Sequence, residues 1–172
     1  MSPVQDAQQQ RPGAQGESVM FETWYEGLEA VQGTAEQRKF WADLLAIRAG
    51  AAKLLEGMRN EGKIGAALEA EVTAHAEPAL RARLSEVADE LRFFFITSEL
   101  RLADASSPPP DAIGIDVDNA KVWITAQPSD RKKCVRCWHY RPDVGTVPEH
   151  PEICGRCVSN LPGGSGENRR WF

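Results

Sequence analysis

Apolar residues recur at intervals of three to four over residues 34–60, the spacing that places side chains on one face of an α-helix. Thr34, with Gln37 three residues later, has the pattern of an N-terminal cap, and Gly62 suits the end of the helix. We therefore predict one long amphipathic helix. Its apolar stripe consists of Phe40, Leu44, Ile47, Ala51, Leu54 and Met58.

The pattern changes after this helix. Apolar and polar residues alternate over residues 68–75, which predicts a half-buried strand. A second helix is predicted over residues 78–91, because Pro78 suits a first turn and apolar residues again recur on one face. The aromatic run at residues 93–97 predicts a further strand, continuing through residues 100–102.

Prolines 108–110 form a stiff connection, since consecutive prolines join neither a helix nor a central strand. Beyond them, the alternation at Ile113, Ile115 and Val117 and the apolar run at residues 122–125 flank Asp118-Asn119, which predicts a hairpin. The body of the protein is therefore expected to be α+β, with two helices packed on a small, mostly antiparallel sheet.

Three segments are expected along the chain: a disordered lead-in over residues 1–17, the α+β body over residues 18–130, and a small module with a basic tail over residues 131–172. The first twenty residues lack the basic start and apolar stretch of a signal peptide. No apolar run approaches the roughly 20 residues that a membrane span needs. We expect a cytoplasmic location and no membrane partner.

Four cysteines, all that the sequence contains, form two C-x2-C pairs: Cys134 with Cys137, and Cys154 with Cys157. Two such turns brought face to face give the tetrahedral four-thiolate set that Zn²⁺ prefers, and the distance between the pairs suits a zinc ribbon. In a reducing compartment this pattern favours metal binding over two disulfides. We predict one structural Zn²⁺ in a C-terminal four-cysteine zinc-ribbon-like module, with His139 and His150 as less favoured alternative ligands.

No catalytic constellation accompanies this module. A four-thiolate zinc has no open position for water or substrate. The sequence also lacks the glycine-rich phosphate-binding loops and the G-x-S-x-G nucleophile motif. We therefore assign no catalytic residues.

Charge is unevenly distributed: residues 131–172 carry 8 of the 20 Lys and Arg but 4 of the 25 Asp and Glu. A basic module behind an acidic body suits contact with a polyanion, although small zinc modules are also often basic and merely solvated. Trp138 is interpreted as part of the module's small core. The residues predicted to contact nucleic acid are Arg131, Lys132, Lys133, Arg136, Arg156, Arg169, Arg170 and Trp171.

Residues 133–140 (KCVRCWHY) and 150–160 (HPEICGRCVSN) closely resemble the C-terminal zinc finger of bacterial isoleucyl-tRNA synthetases. The resemblance continues upstream, at residues 24–28 (WYEGL) and 89–93 (DELRF) among others, and covers nearly everything from Ser18 onward. It implies that the four cysteines bind zinc and that the module helps to engage isoleucine-specific tRNA.

The HIGH and KMSKS signatures of that family and its editing domain do not occur in these 172 residues. We therefore expect no adenylate formation by this chain alone, which would be a fragment, a subunit of a split enzyme or a free-standing derivative. Two other classes stay open: a finger like that of formamidopyrimidine-type DNA glycosylases, and a zinc-ribbon scaffold that binds protein.

Overall fold

A computed structural model describes Gly27, residues 33–118 and residues 120–170. From Ala35 onward the chain forms one compact unit, and the following description concerns that unit. The predicted lead-in over residues 1–17, the start of the predicted body at Ser18 and the predicted contact residue Trp171 lie outside the described residues.

The long predicted helix is confirmed as α1 (Ala35–Asn60). Its inward face buries the apolar residues Leu44, Ile47, Ala51, Leu55 and Met58. Gly62 ends the helix in the left-handed conformation, with φ of 72°. There the Lys63 N–H donates to the Met58 carbonyl at 2.9 Å, which satisfies a carbonyl that the last helical turn leaves without a partner.

Four strands form the sheet of the body: β1 (Ala70–Ala76), β2 (Glu99–Asp104), β3 (Ile113–Val117) and β4 (Ala120–Pro128), in the order β2-β1-β4-β3. A 3-10 turn, Ala67–Glu69, leads into β1. The β1–β2 pair is parallel, while the β1–β4 and β3–β4 pairs are antiparallel. The α+β class with a small, mostly antiparallel sheet is thus confirmed.

Two short helices, α2 (Pro78–Ser85) and α3 (Ala88–Phe95), connect the parallel strands β1 and β2. The single predicted helix is therefore interrupted between Ser85 and Ala88, and the strand predicted over residues 93–97 is wrong. The helical spacing that buries Leu84, Val87 and Leu91 continues to Phe95, and this tertiary packing overrides the β-propensity of aromatic residues.

The helices and the sheet enclose one apolar core. Its largest fully buried side chains include Leu44, Ile47, Leu91 and Ile124. Within the described part of the chain, no helix combines the length and apolar character that a bilayer crossing demands.

The C-terminal module contains β5 (Lys132–Lys133), β6 (Tyr140–Arg141) and the short helix α4 (Gly155–Ser159). Ion pairs join it to the body. Arg131 lies 3.0 Å from Glu71 on β1 and 2.9 Å from Glu99 on β2, and Arg141 lies 3.4 Å from Glu99. The division between residues 130 and 131 stays a prediction, because both sides belong to the same compact unit.

Candidate metal centre

The first cysteine pair lies in the tight turn between β5 and β6. These strands pair Lys132 with Arg141 and Lys133 with Tyr140. Within the turn, the Trp138 N–H donates to the Cys134 carbonyl and the Cys134 N–H donates to the His139 carbonyl, both at 2.9 Å. The hydrogen-bonded turn therefore places both thiols at one end of the hairpin.

The second pair lies at the start of α4, with Cys154 just before the helix and Cys157 within it. The Gly155 N–H donates to Asp143 Oδ2 at 2.8 Å, and a Cβ at this position would lie 2.9 Å from the same oxygen. A side chain here would therefore crowd the Asp143 carboxylate and disturb this hydrogen bond. The Val135 N–H donates to the Glu152 carbonyl at 3.1 Å, which ties the two turns together.

The four Sγ atoms all lie within 4.8 Å of one another. The Cys134–Cys157 and Cys137–Cys154 Sγ distances are 3.6 and 3.7 Å, close to the edge of about 3.8 Å that a tetrahedron with Zn–S of about 2.3 Å requires. All four cysteines are free thiols. The donor set therefore suits one structural Zn²⁺, as the sequence predicted.

Neither candidate histidine belongs to this group of ligand atoms among the described residues. His139 instead has its Nδ1 3.2 Å from the Cys137 carbonyl. Burial, together with the charges of Arg156, Arg92 and Arg141, holds the pKa of His139 below its usual value, although the hydrogen bond to Cys137 opposes this shift. A neutral ring donating from Nδ1 fits these contacts.

The thiols differ in how readily they ionise. Burial alone would raise the pKa of Cys134, but donors that include the N–H groups of Cys137 and Cys154 outweigh it and lower this pKa to about 6. Burial raises the pKa of both Cys154 and Cys157. Because zinc binds thiolates, the cation would supply the charge that keeps these buried sulfurs ionised.

Little apolar surface supports the module. Its buried cluster consists of Val144 and three of the cysteines, with Cys137 and Ile153 packed against it. Such a cluster is too small to offset the conformational entropy of ordering this segment. The arrangement defines a structural metal centre, in which the ion holds the turns together.

The predicted nucleic-acid residues fall into two groups. Lys132, Lys133 and Arg136 are exposed around the first turn. Four others have partners within the protein: Arg131 pairs with Glu71 and Glu99, Arg156 and Arg169 pair with Glu167, and Arg170 donates its backbone N–H to Glu90.

The interpretation of Trp138 as a core residue is wrong, because 61% of it is exposed. Trp138 ends the first cysteine turn in the left-handed conformation, with φ of 66°, and the small interior is already filled by the sulfurs and Val144. The position of Trp138 directly after Cys137, where the tight turn ends, is the sequence feature that could have predicted its exposure.

The fold and the sulfur cage together define the class: an α+β protein carrying a four-cysteine zinc finger. Residues 131–160 match the family described as the zinc finger found in FPG and IleRS. That description spans two kinds of protein, so the α+β body must distinguish between them.

A second comparison covers the α+β body as well as the zinc finger. Isoleucine–tRNA ligases from Alkalilimnicola ehrlichii and Pseudomonas entomophila are 46% and 47% identical to this chain over 162 and 161 residues. Each match covers 93% of the chain and 17% of the ligase. The ligase of Stenotrophomonas maltophilia is 46% identical over 94% of the chain and 16% of its own length.

The chain is therefore a relative of the isoleucine–tRNA ligases, similar over nearly its whole length to a segment that makes up about 17% of them. This confirms the resemblance found in its residues.

Proposed function

We propose that this chain serves as the zinc-bearing C-terminal part of an isoleucine–tRNA ligase and that its module engages tRNA. The similarity to such ligases supports this assignment. Aminoacylation itself would rest on the adenylation signatures of the family, which these residues lack. The segment would contribute RNA binding to a cytoplasmic ligase, and zinc would contribute a rigid turn.

One observation carries the proposal: Trp138 is 61% exposed at the end of the first cysteine turn. Burying an indole ring removes a large apolar area from water, so leaving it outside is unfavourable unless a partner covers it. Lys132, Lys133 and Arg136 are exposed on the same hairpin and turn. An aromatic ring beside cations suits an unpaired base with its flanking phosphates.

Binding of isoleucine-specific tRNA, measured by titration at matched salt, tests the proposal. Trp138→Ala should weaken binding by about fivefold to a hundredfold, because stacking on one base contributes roughly 1–3 kcal/mol. Val135→Ala is the matched control, since Val135 is another apolar residue of the same turn, 57% exposed, without a ring. It should bind tRNA like the unaltered chain.

Duplex DNA and a non-cognate tRNA complete the experiment. Equal affinity for duplex DNA and tRNA would contradict tRNA engagement by this chain. Equal losses for Trp138→Ala and Val135→Ala would contradict the stacking role. Isoleucine specificity would require a preference for the cognate tRNA over the non-cognate one.

A further inference from the structure

Phe93, near the end of α3, lies beside the module, and positively charged side chains contact its ring. The Arg92 guanidinium lies 4.4 Å from the centre of its ring, and that of Arg156 lies 4.9 Å away. The His139 ring meets Phe93 edge-on at 5.8 Å. A body residue and a module residue thus share one aromatic surface next to the metal centre.

Beside this ring lies a cavity of about 40 Å³. Arg92, Arg141 and Arg156 line it together with Cys137 and Cys154. Three arginines therefore line the same small space as two of the four cysteines.

The cavity also contains one carboxylate, that of Asp143. It accepts a hydrogen bond from the Gly155 N–H and lies 3.9 Å from Arg141 Nε. Asp143 thus has partners of its own on the module and does not lie within ion-pair distance of Arg92.

Arg92 differs from its two neighbours. Arg141 pairs with Glu99 and Arg156 pairs with Glu167, whereas Arg92 forms no ion pair within residues 33–118 and 120–170. Its NH1 donates to the Asp89 carbonyl, and its buried Nε has no hydrogen-bond partner. Burial and the charges of Arg141 and Arg156 lower the pKa of Arg92, although the charges of Glu99 and Asp89 partly oppose this shift. A half-buried cation beside two like charges remains unfavourable where nearby carboxylates compensate it only in part.

Besides these carboxylates, the metal centre would be a further source of negative charge beside Arg92. Four thiolates around one Zn²⁺ carry a net charge of about −2, and this charge is buried. Arg136, on the first cysteine turn, also lowers the pKa of Cys157 and so favours its thiolate, although burial raises this pKa overall. A positive charge from the body would further stabilise the thiolates, which are the form of cysteine that zinc binds.

We propose that Arg92, a residue of the α+β body, stabilises the zinc–thiolate centre electrostatically, so that zinc retention by the module depends on the body to which it is docked. Arg92 is a positioning and charge-balancing residue, not a ligand. This inference is independent of RNA binding, because it concerns only the affinity of the module for its metal.

Arg92→Met in the full chain removes the charge while keeping an unbranched side chain. Zinc affinity, measured by competition with a chromophoric chelator, should fall by about 10- to 100-fold, the effect typical of residues that support metal ligands. Arg48→Met is the matched control: Arg48 also stacks on a phenylalanine ring, at 5.5 Å from the centre of Phe94, but it does not line the cavity. Its zinc affinity should be unchanged.

Arg92→Lys separates charge from packing. It keeps the charge and should retain zinc better than Arg92→Met, and a lysine variant that loses as much zinc as the methionine variant would contradict the electrostatic role. Wild-type zinc affinity in Arg92→Met would overturn the proposal outright, as would equal losses in Arg48→Met.

Cobalt provides a second measurement that does not depend on affinity. In the Co²⁺-loaded chain, the sulfur-to-metal charge-transfer bands should move to longer wavelength in Arg92→Met, because less positive charge then stabilises the sulfur electrons. Circular dichroism checks that each variant is folded. If Arg92→Met fails this check, Arg92→Gln takes its place, and unshifted bands in a folded, uncharged variant would contradict the proposal.

Discussion

The body and the module of this protein are stabilised by different interactions. The body buries a continuous set of apolar side chains from α1, the sheet and α3, including Leu44, Leu91 and Ile124. In the module, Val144 is the buried apolar residue that accompanies three buried cysteines. Burial of apolar area stabilises the first region, whereas the second requires a metal ion that binds its thiolates.

At the junction between them, ion pairs are the main stabilising interaction. Glu71 is 4% exposed on the central strand β1. It accepts from Arg101 at 2.6 Å and from Ser129 at 2.8 Å, and it pairs with Arg131 at 3.0 Å. Apolar packing thus stabilises the body, the metal stabilises the module, and buried ion pairs join the two. Each interaction can be removed separately, and each removal should destabilise a different part of the chain.

Zinc removal should have the largest effect. Binding to structural sites contributes on the order of 10–16 kcal/mol near neutral pH, so a strong chelator should unfold residues 131–170 while α1 and the sheet persist. Limited proteolysis with far-ultraviolet circular dichroism measures both. Complete loss of helical signal would show instead that body and module unfold as one cooperative unit, and the predicted boundary after residue 130 would be wrong.

Cys154→Ser makes the same comparison without a chelator. Removing one of four sulfurs should abolish stoichiometric zinc, as measured by metal analysis of the purified chain, and should leave the body folded. Adding zinc back restores the chelated wild-type chain but not this variant. A full equivalent of zinc in Cys154→Ser would mean that another residue, such as His150, can replace the missing ligand.

The two regions also differ in how well their sequences predict them. Helical spacing predicted α1, because its apolar stripe decides which face is buried. Cysteine spacing predicted the metal centre, because a four-thiolate site demands two tight turns. Local propensity failed at residues 93–97, where Phe95 packs inward from a helix and contacts distant in sequence decide the conformation.

Contacts across the junction could not be predicted at all. Arg92 and Arg141 are far apart in the sequence, and only the fold brings both to one cavity. Similarly, Arg131 fits a phosphate contact by composition, yet it pairs with carboxylates on two strands. Pairings of this kind depend on strand order and on side-chain reach, neither of which a linear pattern contains.

Glu71→Gln tests the junction, with an intermediate effect. Removing a buried charge with three partners should destabilise the folded chain by about 1–3 kcal/mol at neutral pH. Burial raises the pKa of Glu71, but Ser129, Arg101 and Arg131 outweigh it and hold the pKa below the ordinary value of 4.5. A lowered pKa stabilises the fold above pH 4.5, and this contribution is lost as the pH falls towards the lowered value.

The difference in unfolding free energy between wild type and Glu71→Gln should therefore be constant above about pH 5 and shrink on further acidification. Comparing the two chains at each pH cancels the loss of zinc that acid causes in both. Glu56→Gln is the control, since Glu56 pairs with Arg59 on the exposed surface of α1, where solvent screens ion pairs and they contribute little to stability. A pH-independent difference for Glu71→Gln would show that the carboxylate charge does not stabilise the junction.

The smallest effect is expected on the exposed surface of the module, where Lys132 and Lys133 would contact the proposed RNA partner. Each phosphate contact removed from a single strand lowers the slope of log affinity against log salt by about 0.7. Lys132→Gln and Lys133→Gln should each approach this value in a tRNA titration, because both side chains are exposed. Arg169→Gln should change the slope less, because Arg169 already pairs with Glu167 and lies over Phe93. A larger change for Arg169→Gln than for the lysines would mean that RNA displaces this internal pair, and that the contact surface extends from the first cysteine turn to the C-terminal tail.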